Sequence, residues 1–116
     1  MTISQTTRVV VRHADRELDL SGSLPSRIAV PSNVLSALVI VRRTDSVAWA
    51  GSIPVEGNTG PLSPAASIAD PGAGVVTAST PLSEEQLAGV ESLVIGPVSG
   101  GAGIVRNEVR FTVVDA

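Results

Sequence analysis

Apolar residues recur at every second position in several short stretches of the chain, and proline or glycine separates most of these stretches. That period belongs to strands with one buried face. Over 7–13 the odd positions read Thr7, Val9, Val11 and His13 and the even ones Arg8, Val10 and Arg12, which predicts a strand with its arginines turned to water. Ala14-Asp15-Arg16 reads as a turn into Glu17-Leu18-Asp19-Leu20, and Ser21-Gly22-Ser23 ends that second strand of a hairpin. Pro25 and Pro31 bracket 26–30, which suits an edge or irregular strand because proline cannot donate to a ladder. Residues 34–41 are apolar on both faces, as in a central strand or one covered by something outside the domain. A short strand, Val47-Ala48-Trp49-Ala50, follows.

The stretch 51–64 holds three glycines and three prolines with little periodicity, and it is expected to be an exposed arm or long loop. Residues 65–69 and 75–79 flank Asp70-Pro71-Gly72-Ala73-Gly74, a turn sequence that predicts a hairpin. One helical signal stands out. Ser83 can cap, Gln86 completes a capping box, Leu82 and Leu87 can form a hydrophobic staple, and Gly89 can end the turn, so one short helical turn is expected near 83–88. The strands 90–98 and 104–114 are separated by a glycine-rich loop, again as in a hairpin. In the last one Val105, Asn107, Val109, Phe111 and Val113 face one way and Arg106, Glu108, Arg110 and Thr112 the other.

The sum is an all-β chain of about seven or eight strands forming one domain over residues 1–116, a length near the mode for single domains. Two packed antiparallel sheets suit it better than a meander, and closure into a barrel is the other arrangement the pattern allows. Composition agrees. The chain is 43% hydrophobic but only 2% aromatic, so Val, Ile, Leu and Ala must fill the core around the rings of Trp49 and Phe111.

Four of these stretches, in order, resemble the small immunoglobulin-like sandwich at the N-terminus of phage upper baseplate proteins and related tail components. They are the opening strand with Glu17-Leu18-Asp19-Leu20-Ser21-Gly22; the apolar strand closing in Val41-Arg42-Arg43; Ile68 to Thr77 followed by Leu82-Ser83-Glu84-Glu85-Gln86-Leu87; and Arg106 to Val113. Family members usually carry an aromatic near the penultimate strand, where this chain has Val90 to Ile95, and often continue into a second region that is missing here. The resemblance implies an immunoglobulin-like β-sandwich in a virion structural protein that binds copies of itself and other virion proteins.

The residues point to no competing chemistry. Asp15, Glu17 and Asp19 share a strand face, but no loop of calcium-binding geometry accompanies them, so a solvated face is expected and no metal. His13 is the one histidine and is expected at the rim of the core, with no partner for catalysis. No serine sits in a nucleophile elbow, and the glycines of 96–103 match neither a dinucleotide fingerprint nor a P-loop. The expectation is therefore a non-enzyme with no cofactor and no small-molecule substrate.

Eight basic residues, all arginine, against eleven acids give −3, too little positive charge for nucleic acid. No apolar run is long enough to span a bilayer and no secretory signal opens the chain, so a soluble protein made in a host cytoplasm and carried in a virion is expected, with no membrane partner. The charges are unevenly placed. Between Thr44 and Val105 six acids and no arginine give −6, and the rest of the chain gives +3, which raises the prospect of an acidic patch on one copy meeting a basic patch on the next.

Trp49, Ile53, Val55 and Leu62, with Arg42 and Arg43, are the candidate subunit-interface residues. For Trp49 a core position, with its N–H bonded to backbone, is favoured over an interface one. The functional expectation is a tail, baseplate or tail-tip component. A capsid decoration protein is the alternative within that class, and a bacterial carbohydrate-binding or adhesin module is the alternative outside it, disfavoured by the scarcity of aromatic rings.

Overall fold

The computed structural model describes residues 10–18, 20, 24–43, 52–72, 74–98 and 104–115, without the side chains of 104–106 and 115. The elements are β1 (Val10–Leu18), β2 (Ser26–Ala29), β3 (Val34–Arg43), β4 (Ser52–Gly57), β5 (Gly60–Ala69), β6 (Thr77–Leu82), α1 (Glu84–Leu87), β7 (Ser92–Ile95) and β8 (Ile104–Asp115). They form two four-stranded antiparallel sheets, β1-β8-β3-β6 and β2-β7-β4-β5, packed into a sandwich with one helical turn, as the alternation predicts.

The connectivity gives the sandwich a more particular form. β4 pairs with β5, β3 with β6, β2 with β7 and β1 with β8, so the chain is a nest of antiparallel pairs folded over on itself. Two further pairings, β3 with β8 and β4 with β7, join the nest into its two sheets. This is the eight-stranded jelly roll. An immunoglobulin constant domain instead sets strands A, B, E and D over C, F and G.

Every connection except β4–β5 crosses from one sheet to the other. Three of the predicted hairpins are therefore corrected. Residues 65–69 lie in β5 and 77–79 in β6, on opposite sheets, and β7 and β8 are likewise on opposite sheets. The third is no hairpin because Ala14-Asp15-Arg16 does not turn: β1 runs straight through it, held by continuous pairing from Val10 opposite Asp115 to Leu18 opposite Asn107. Local turn chemistry cannot tell a hairpin from a crossover of similar length. The predicted strand 47–50 lies outside the described residues.

The predicted arm at 51–64 is also corrected. Residues 52–57 and 60–69 form the β4–β5 hairpin around Asn58-Thr59, and Ile53, Val55 and Leu62 are 1%, 1% and 5% exposed. Their alternation was broken by glycine and proline in the sequence, but β5 is an edge strand, where Pro61 and Pro64 are tolerated.

The core lies between the sheets, and Phe111 is its largest fully buried side chain. Its ring is accommodated by small neighbours: Ala14 of β1 and Ala37 of β3 stand opposite it on either side, and Leu82 follows across β6. Large and small residues thus alternate along one row, an arrangement that lets the layer interdigitate. β3 is central, as one reading of its two apolar faces required. Ala37, Val39 and Val41 point into the core, while Ile40, on the other face, is 6% exposed yet stands apart from the core cluster.

Candidate subunit interface

The two ends of the sandwich are closed differently. At one end lie the β2–β3 turn, the β4–β5 turn and α1. Ser83 caps α1 by accepting from the Gln86 N–H at 3.2 Å, and the Ser83 N–H donates to Gln86 Oε1 at 2.9 Å, the predicted capping box. Leu82 and Leu87 are both buried, and Gly89 leaves the helix at φ 75°, a conformation that favours glycine. Gln86 Nε2 also donates to the Pro64 carbonyl at 2.9 Å, and Asn58 Oδ1 accepts from the Glu91 N–H at 3.1 Å, so α1 is tied to β5 and the segment after it to the β4–β5 turn.

At the opposite end Arg43 closes the structure. Its side chain is 1% exposed, its guanidinium is ion-paired to Asp70, and it donates from Nε to the Val75 carbonyl at 2.8 Å and from Nη2 to the Gly72 carbonyl at 2.7 Å. Asp70 in turn accepts from the Gly72 N–H at 3.2 Å. One buried arginine thereby ties the β5–β6 crossover to the end of β3, with fixed dipoles satisfying a charge that water cannot reach. Among the described residues no buried side-chain nitrogen or oxygen lacks a hydrogen-bond partner.

The expected interface residues do not come together. Ile53, Val55 and Leu62 are core residues and Arg43 is buried in its network, so none of the four offers a free surface, because each completes the fold itself. Arg42 does face outward and pairs with Glu108 at 2.9 Å. Trp49 lies outside the described residues.

β1 departs from its expected facing. Its even residues, Arg12, Ala14, Arg16 and Leu18, stand opposite the inward-facing Val113, Phe111, Val109 and Asn107, whereas Val11, His13, Asp15 and Glu17 lie on the outer face. The strand lies at the sheet edge, so only Leu18 is buried and Ala14 half-buried, and both arginines reach solvent from the core side. His13 is exposed rather than at the core rim, with Nδ1 3.4 Å from Thr112 Oγ1. Asp15 pairs with Arg110 at 3.1 Å, and Glu17 stands opposite Glu108; Asp19 lies outside the described residues. No cluster of three metal-ligating side chains occurs among the described residues.

The uneven charge survives folding in part. Asp70 is spent on Arg43, joining the two groups, while Glu84, Glu85 and Glu91 stay around α1. A groove of about 520 Å³ opens there, with Val30, Val34, Leu87 and Val90 in its wall and Glu84 and Glu91 among its polar lining.

The feature the sequence reading missed is the edge formed by β1. Among the described residues each sheet has two edges: β1 and β6 in one, β2 and β5 in the other. β6 contains Pro81, β5 contains Pro61 and Pro64, and β2 is four residues long between Pro25 and Pro31. These are recognised defences against strand addition. β1 has nine residues and no proline or glycine, and its Val10 and Val11 are 51% and 50% exposed. The run from Val9 to Leu20 without either breaker was the available signal, but only the sheet order shows that it falls on an edge.

No protein-family model matches the chain, and no curated protein and no solved structure is significantly similar to it.

Proposed function

We propose that this chain is a non-enzymatic structural protein of a bacteriophage virion, present in multiple copies in the tail, baseplate or tail tip. The observation that carries the reading is a jelly-roll sandwich in which, among the described residues, one nine-residue edge strand carries no proline while the other three have prolines in or beside them. A protein that functions alone benefits from blunting all of its edges, and a building block benefits from keeping one. The ordered resemblance of four stretches to phage baseplate domains supplies the setting.

The jelly-roll order supports the capsid-surface alternative, since viral shell domains are a common use of this architecture. It is equally at home in lectins, but the one described aromatic ring, Phe111, is fully buried and offers no platform for a sugar. Immunogold labelling of purified particles tests the proposal. Gold at the tail or baseplate is the expected result, gold on the head selects the decoration reading, and particles that lack the protein overturn both.

A further inference from the structure

We propose that copies of this chain join head to tail, residues 24–27 of one copy seating as a knob in the groove beside α1 of the next. Knob and groove lie at opposite ends of β2. Leu24 and Pro25 lead into that strand at the Arg43 end, and Val30 and Pro31 leave it as part of the groove wall.

Leu24 is 77% exposed, more than any other large apolar side chain among the described residues. A single exposed leucine is ordinary on a protein surface. This one is followed by Arg27, which is exposed and makes no ion pair among the described residues. The groove complements both groups. Val30, Val34, Leu87 and Val90 make its wall apolar, and its acids Glu84 and Glu91 are exposed and likewise without an ion pair among the described residues. The Val30 N–H donates to the Glu91 carbonyl at 2.9 Å, so the two walls are bonded to each other. A leucine seated against these valines leaves the cation within reach of a glutamate, since three residues span at most about 10 Å. Apolar burial then holds the contact and the charges at its rim orient it.

The same charges argue against a two-fold contact. Groove against groove sets Glu84 and Glu91 beside their own copies, and knob against knob does the same for Arg27; juxtaposed like charges cost affinity. A contact between two different surfaces instead repeats from copy to copy, and it closes into a ring or runs on as a stack according to the rotation between neighbours.

The inference rests on the assembly reading for its place in a virion, but it is tested on the isolated, intact chain by sedimentation velocity over a concentration series at low salt. The wild-type protein is expected to form species larger than a dimer as concentration rises. Leu24→Ser with Arg27→Ser blocks the knob, and Glu84→Arg with Glu91→Arg blocks the groove. Each doubly substituted protein, checked for folding by circular dichroism, is expected to associate at least about tenfold more weakly. Ala88→Phe, which fills the groove from an exposed position, is the second groove block should the charge reversal fail to fold. The two blocked proteins mixed in equal amounts are expected to form a dimer and nothing larger, because one knob and one groove remain between them. A wild-type protein that stops at a monomer or a dimer at millimolar concentration, blocked proteins that associate as the wild type does, or a mixture that stays monomeric or grows past a dimer each overturns the proposal. None of these results moves the gold label, which tests the virion reading by itself.

Discussion

The α1 end and the Arg43 end of the sandwich solve the same problem with different reach. Around α1 the chain closes with neighbours in sequence: Ser83 and Gln86 cap each other and Gly89 turns the backbone out of the helix. At the other end the closure spans 27 residues from Arg43 to Asp70, and it is buried. Local caps are worth little each and forgive substitution, whereas a buried ion pair stabilises only as a complete set, because removing one partner strands a charge. The two ends should therefore respond very differently to single changes.

The largest expected effect is at the Arg43 end. Asp70→Ala takes the carboxylate away from an arginine side chain that is 1% exposed, and it should lower unfolding free energy in urea by about 3–5 kcal/mol. A loss below about 1 kcal/mol would mean that water reaches Arg43 and the ends are alike. At the α1 end, Ser83→Ala should cost about 1 kcal/mol in the same experiment, the usual value of an N-cap. The smallest effect belongs to the open edge. Val11→Lys, on an outer face already half exposed, should change stability by less than about 0.5 kcal/mol. A loss as large as that of Asp70→Ala would show that β1 is covered.

The same contrast explains what could be read from the sequence. The capping box at Ser83 and Gln86, the staple of Leu82 and Leu87, and the inward set Asn107, Val109, Phe111 and Val113 were all legible because each is written within a few residues. Which strand pairs with which was not. Asp70 to Gly74 has the same turn chemistry whether it closes a hairpin or carries the chain between sheets, and Arg43 looks like any solvated arginine until Asp70, Gly72 and Val75 converge on it. The hairpin through 52–69 was hidden because its prolines read as loop until the sheet order put β5 on an edge. Of the candidate interface, Arg42 alone among the described residues faces outward, and the position of β1 at a sheet edge depends on an order of strands that no local pattern encodes.

Amide hydrogen exchange of the isolated protein, followed residue by residue by NMR, tests the open edge most directly. β8 lies between β1 and β3, so its amides should be protected at successive positions wherever both partners pair with it. Along β1 protection should alternate, with the amides that donate to β8 slow and those between them fast, because no strand among the described residues meets the other side. Slow exchange at every position from Val10 to Leu18 would contradict the account, since it would mean that the edge is already filled within the chain.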